Sequence, residues 1–257
     1  MRYLIRLSYR GLPYSGWQIQ NNAVSIQGLL QQALSALFRT EIAVTGAGRT
    51  DSGVNAVNYI AHFDAEPSPL VESGNICYKL NAILPYEIVV HEVRPTSDEF
   101  HSRFDAVYRE YKYFLHRKKD PFIASRSYLY THDLDVDRMN EAALGLIGTK
   151  DFSCFEKKGG DNKTSICFVS KAQWQTYEPD HVRIMGYPCE RGDYLVFSIG
   201  ADRFLRNMVR AVVGTLLEVG RGRRATTWLP ELISSGVRSD AGQSVPGHAL
   251  FLTHIDY

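Results

Sequence analysis

The sequence predicts an α+β fold: two ferredoxin-like β-α-β-β-α-β halves joined into one wide, mainly antiparallel sheet with helices on one side. Three observations predict it. Apolar residues alternate in short runs of strand length; between those runs they recur at helical spacing; and the order found in the first half returns, with larger insertions, in the second.

In the first half, Tyr3, Ile5, Leu7 and Tyr9 share one face of residues 2–10, the pattern of a half-buried strand. Ile26, Leu29, Leu30, Ala33, Leu34 and Leu37 predict a helix over 25–38, with Ser25 as its N-cap. The short run Ile42-Ala43-Val44-Thr45 precedes a glycine-rich turn, after which Val57, Tyr59, Ala61 and Phe63 alternate as a strand. Pro67 and Pro69 break the chain before a helix predicted at about 70–82, and Glu87 to Val93 closes the half as a strand.

In the second half, Tyr108 to His116 reads as a strand. Met139, Ala142, Ala143, Leu146 and Ile147 mark a helix that Gly148 ends. Strands follow at about 166–175 and 194–201. A strongly apolar helix spans about 203–219 with Leu205, Met208, Val209, Val212, Val213 and Leu216 on one face, and a last strand covers about 248–255. A crossover near 98–107 divides the chain into domains 1–102 and 103–257; a single domain with an irregular sheet is the alternative.

The 257 residues suit one large domain or two of roughly 100–150 residues. With 44% hydrophobic and 22% charged residues, the composition is that of an ordinary globular protein. No apolar run approaches the ~20 residues of a membrane helix, and the alternating start from Met1 to Leu7 lacks a signal peptide's apolar core, so a cytoplasmic location is expected. Cys77, Cys154, Cys167 and Cys189 lie far apart, with no C-x-x-C pair and no His cluster to complete a zinc set; they read as reduced, mostly structural thiols. A net charge of +1 neither invites nor excludes nucleic acid. Local basic clusters occur at Arg117-Lys118-Lys119, Lys157-Lys158 and Arg221-Gly222-Arg223-Arg224, each of which taken alone reads as a solvated surface loop.

The most distinctive segment is Gly46-Ala47-Gly48-Arg49-Thr50-Asp51-Ser52-Gly53-Val54-Asn55-Ala56, set between two predicted strands. Its three glycines let the backbone approach a ligand closely, and loops held by rigid strands often carry function. It is not a phosphate-binding loop. A dinucleotide fingerprint needs glycine where Asp51 stands, and a P-loop needs lysine where Val54 stands. The residues alone leave two readings open: a functional carboxylate, or a hairpin turn in which Asp51 or Ser52 caps its own backbone.

The string from Gly48 to Ala56 resembles the G-R-T-D-x-G-V signature of the TruA family of tRNA pseudouridine synthases, with Ser52 and Asn55 where that family usually has Ala and His. Further stretches are similar to the family in the same order. Tyr14-Ser15-Gly16-Trp17-Gln18 resembles Y-x-G-W-Q, Asn81 to Pro85 resembles N-x-x-L-P, and Phe100-His101-Ser102-Arg103-Phe104 resembles F-H-A-R-F. Arg109 to Tyr113 is similar to R-x-Y-x-Y, and Phe204 to Arg210, continued by Val213-Gly214, to F-x-x-x-M-V-R.

The resemblance implies a cofactor-free and metal-free isomerase whose nucleophile is Asp51, attacking either the ribose C1′ or the uracil ring. An ionised carboxylate favours a nearby cation; Arg49 is close in sequence, and Arg210 is the partner the resemblance implies. On the predicted helix Arg203, Arg206 and Arg210 share the face opposite the apolar one, and Arg203 and Arg206 read equally well as solvated. Tyr111 and Tyr113 share a strand face, and spacing does not choose between them. The resemblance selects Tyr111 to stack on an extruded uracil and assist proton removal from C5. Leu250, with Leu252, resembles a pocket-lining segment. Arg49, Tyr111 and Leu250 are thus the expected substrate contacts. The implied partners are tRNA, at the anticodon stem-loop near about nucleotides 38–40, and a second copy of the chain as a homodimer, with no membrane partner. Rival readings are an RNA-recognition module, whose aromatic-rich strand signature is absent; a metal or phosphoryl-transfer enzyme, which lacks its cluster or loop; and the same chemistry on another uridine or RNA.

Overall fold

The first half contains β1 (Arg2–Tyr9), α1 (Ile26–Phe38), β2 (Val44–Gly46), β3 (Asn55–Asp64), α2 (Pro69–Glu72), α3 (Ile76–Ile83) and β4 (Ile88–Pro95). Then follow β5 (Tyr108–His116), β6 (Tyr128–Leu129), α4 (Val136–Leu144), β7 (Gly148–Asp151), β8 (Ile166–Thr176), α5 (Asp180–Arg183), β9 (Tyr194–Ala201), α6 (Met208–Gly220), α7 (Trp228–Ser235) and β10 (Leu250–Asp256). This computed structural model describes residues 1–157, 159 and 163–257. Lys158, the second lysine of the basic pair noted above, lies outside the described residues. The class is α+β with mainly antiparallel strand pairing, as the sequence predicts.

Two compact units comprise Met1–Arg109 with Phe251–Tyr257, and Glu110–Leu250. In the first, β1 lies between β3 and β4 and is antiparallel to both, so that Ile5 pairs with Ala61 on one side and Val93 on the other. β2 pairs with β3 through Val44 to Gly46, which completes the order β4-β1-β3-β2. Because β2 is short it covers only one end of β3. At the other end Asn55 and Ala56 pair in parallel with Phe251 and Leu252 of β10. Chain order places β10 in the second half, but alternation reports only that a segment is a strand, not which strand it joins.

α1 buries Ile26, Leu30, Ala33 and Leu34, and the Ser25 hydroxyl accepts from the Gly28 N–H as an N-cap. Burying such aliphatic side chains contributes about 1.5–3 kcal/mol each. The core is continued by Phe38, Tyr3 and Phe63, whose ring centroids lie 5.3–6.4 Å apart. The helix predicted at about 70–82 is in fact two. Ser68 and Pro69 start α2, and the left-handed backbone at Gly74 (φ +70°) separates it from α3.

In the second unit the order is β5-β9-β8-β7, with β6 parallel to β5. β9 is buried at all eight positions and α6 at eleven of its thirteen, so this strand and helix form the centre of the core. Two helix boundaries differ from expectation. α4 stops at Leu144 and is capped at Gly145, while Gly148 (φ +101°) opens β7. α6 starts at Met208, not near Arg203, because Asn207 takes the left-handed conformation (φ +66°). Arg203 and Arg206 therefore precede the helix and do not share a helical face with Arg210.

Candidate active site

The loop 46–54 leaves β2 and enters β3, and its backbone is anchored along its length. The Ala47 N–H donates to the Ile60 carbonyl at 2.9 Å. The Tyr59 hydroxyl bonds the Gly48 carbonyl. Thr50 is buried, with its hydroxyl 2.9 Å from that of Tyr9 and its carbonyl accepting from the Trp17 N–H at 3.1 Å. The Val54 N–H donates to the Asp51 carbonyl at 3.1 Å, closing a turn across Gly53, which is left-handed (φ +79°). Tyr9, Trp17 and Tyr59 pack behind the loop as an aromatic trio, the last two with centroids 4.2 Å apart. Asp51 emerges half-buried from this support.

Two glycines outside the turn itself make the anchoring possible. A Cβ on Gly16 would lie 2.4 Å from the Thr50 carbonyl oxygen, and one on Gly46 would lie 2.2 Å from the Tyr59 hydroxyl. Side chains at either position would push the loop off its wall. Gly48, by contrast, faces open space. Arg49 is exposed and, with Gln18, Thr45, Gly48 and Arg103, lines a cavity of about 210 Å³. Arg109 also holds the start of the loop. Its guanidinium donates to the carbonyls of Ala47 (3.0 Å), Arg103 (2.7 Å) and Ala106 (3.0 Å). Long-range clamping of main-chain carbonyls leaves no short-range sequence signal.

In the second unit, exposure separates the two tyrosines that spacing did not. Tyr113 is wholly buried; its hydroxyl donates to the Pro246 carbonyl at 3.1 Å, and burial pushes its ionisation far up. Tyr111 is half-buried, with its ring edge-on to Phe204 at 5.1 Å. Arg210 sits in the first turn of α6, and its Nε donates to the Val245 carbonyl at 2.7 Å, while the Val245 N–H returns a bond to the Arg210 carbonyl. The segment 242–245 is pressed against this helix. A Cβ on Gly214 would overlap the Gln243 carbonyl, and Asn207 and Arg238 both bond the Ser244 hydroxyl. Leu250 is buried. Among the described residues no group of three His, Cys, Asp or Glu side chains could hold a metal ion. Cys154 and Cys167 are buried thiols pushed up to about 12, Cys77 is half-buried and Cys189 exposed.

Over 256 residues, all of this chain and 96% of the relative, the sequence is 45% identical to the tRNA pseudouridine synthase A of Parabacteroides distasonis. The chain belongs to the TruA family of tRNA pseudouridine synthases. Proteins of the same name from Bacillus licheniformis (36% identical, 100% of this chain and 99% of the relative) and Acetivibrio thermocellus (34%, 98% and 97%) are similar at full length. A tRNA pseudouridine synthase family model matches residues 142–257.

Two TruA-like stretches that are distant in sequence meet in the fold: the wall of the G-R-T-D loop is the Y-x-G-W-Q stretch, with Gly16 and Trp17 against Thr50. The two departures from the TruA pattern act on packing of the same loop. The Ser52 hydroxyl donates to the Tyr14 carbonyl at 3.1 Å, and the buried Asn55 side chain accepts from the Gly11 N–H at 2.9 Å.

Proposed function

We propose that the chain converts uridine to pseudouridine in tRNA, at the anticodon stem-loop near about nucleotides 38–40, which is read chiefly by shape and phosphate contacts. As a TruA-family member the protein is an isomerase that acts on a uridine of tRNA. The reaction exchanges the N1–C1′ bond for a C5–C1′ bond and moves one proton from C5 to N1. It involves no net redox change, so a nicotinamide or flavin has no part in it.

The observation that carries the reading is Asp51. A carboxylate is held half-buried on a loop fixed on both sides by main-chain bonds, and two residues before it an arginine lines an open cavity. A pre-positioned nucleophile is what covalent catalysis needs to split one hard step into two. We assign Asp51 as the nucleophile toward the ribose C1′ or the uracil ring. Tyr111 is assigned to stacking on the flipped base and to proton removal from C5, Arg210 to the charge on the reacting groups, and Arg49 and Leu250 to substrate contact. Flipping the uridine costs a few kcal/mol, which contacts to the surrounding RNA offset. A homodimer and a cytoplasmic location accompany the proposal; among the described residues no helix is long and apolar enough to cross a membrane.

Mapping pseudouridines in tRNA from cells lacking this protein tests substrate and position together. Loss at nucleotides in the anticodon stem-loop is expected, and an unchanged map there contradicts the assignment.

A further inference from the structure

We propose that Phe104, with Arg103 and Arg49, forms a second RNA subsite on the first unit, which stacks a nucleobase of the tRNA and holds an adjoining phosphate. Phe104 is 74% exposed, although the turn carrying it is firmly built. The His101 Nδ1 accepts from the Arg103 and Phe104 N–H groups at 3.2 and 3.3 Å. The Phe104 N–H also reaches the His101 carbonyl at 3.1 Å, and Arg109 grips the Arg103 carbonyl. The His101 ring lies against Phe104 with centroids 4.2 Å apart, so the aromatic is backed rather than loose. A rigid turn that holds a large apolar ring out in water places it for a partner that has a π-face.

The chemistry beside the ring says which partner. The Arg103 guanidinium hangs over it at 5.6 Å. Arg103 and Arg49 line the same polar-walled cavity, together with Gln18 and Thr45. The Asp105 carboxylate on the same turn accepts from the His101 main-chain N–H at 2.8 Å. An aromatic face with the Arg103 cation over it, and a second arginine in the cavity that Arg103 also lines, fits a nucleotide: the base stacks, and the phosphate meets the guanidinium side of the surface. The inference deepens the tRNA reading and rests on it. It assigns a flanking nucleotide to Phe104 and Arg103, with Arg49 shared between that nucleotide and the substrate contact assigned above.

The test measures binding of an unmodified tRNA transcript to the full-length protein across a salt series. Phe104→Leu is expected to weaken binding about five- to a hundredfold without changing the salt slope. Phe104→Trp is expected to restore it, with the new indole quenched by RNA. Arg103→Gln is expected to lower the slope of log K against log salt by about 1. Thermal midpoints should stay put, since both side chains are exposed. Wild-type affinity in Phe104→Leu overturns the proposal, as does a change in oligomeric state with RNA affinity intact, which marks a protein-binding surface instead. Failure of the broader reading looks different: the wild-type protein then binds no tRNA.

Discussion

The Arg109 guanidinium donates to the carbonyl oxygen of Ala47 at 3.0 Å, across 62 residues of sequence. The same group holds the Arg103 and Ala106 carbonyls. One side chain thus fixes the 100–107 turn to the start of the loop that presents Asp51. Hydrogen bonds from a charged donor contribute about 1.5–3 kcal/mol each, and unpaired carbonyls add a penalty.

Replacing Arg109 by Leu is therefore expected to lower the unfolding free energy by roughly 2–4 kcal/mol and to cut kcat for pseudouridine formation more than it raises KM. Lysine reaches fewer of the three carbonyls and should recover part of both. Denaturant unfolding and steady-state kinetics check the two together; a kcat unchanged in Arg109→Leu contradicts the clamp.

Glycines 46 and 48 make a matched pair. A Cβ at Gly46 meets the Tyr59 hydroxyl and the Trp17 ring within 2.7 Å, whereas one at Gly48 meets nothing within 4 Å. Gly46→Ala should destabilise the fold by about 1–3 kcal/mol through overpacking and reduce turnover. Gly48→Ala should leave the thermal midpoint nearly unchanged. Equal midpoints for the two variants would show that the wall behind the loop yields freely.

His62 supplies a pH dependence. Burial, and then the positive charges of Arg2 and His101, lower it from 6.5 to about 4. Its Nδ1 accepts from the Ser102 N–H at 3.2 Å, as befits a neutral ring. The unfolded chain binds this proton below about 6.5 while the folded protein resists it, so stability should fall as pH drops from about 6.5 to about 4. Urea unfolding at several pH values in that window should show a shallower decline for His62→Asn than for the wild type. Identical declines contradict the assignment.

The parts of the fold that obey one period were legible in the sequence. β5, from Tyr108 to His116, and β9, from Tyr194 to Ala201, fall on their predicted spans, and Ser25 caps α1 as its position suggests. Two of the misplaced boundaries share a cause: left-handed residues at Gly74 and Asn207 interrupt apolar spacing that continues on either side. α4 instead ends at a right-handed cap on Gly145, before the left-handed Gly148 that opens β7. α7 went unread, and so did β6 and β7, which are only two and four residues long. Within the candidate site, the loop of Asp51 was visible through its glycines and its family signature. The choice of Tyr111 over Tyr113 rests on the resemblance; the two side chains differ in burial, Tyr113 being wholly buried and Tyr111 half-buried. Arg109 was visible only as the first position of R-x-Y-x-Y; its clamping role was not, because its partners are carbonyls, which every residue has.

Asp51 bears the central claim, and the most direct test is Asp51→Asn, which replaces one carboxylate oxygen by an amide nitrogen on a half-buried side chain. Tritium release from tRNA labelled at uracil C5 should be abolished in this variant, with thermal stability and tRNA affinity close to wild type. Turnover near the wild-type rate contradicts the account.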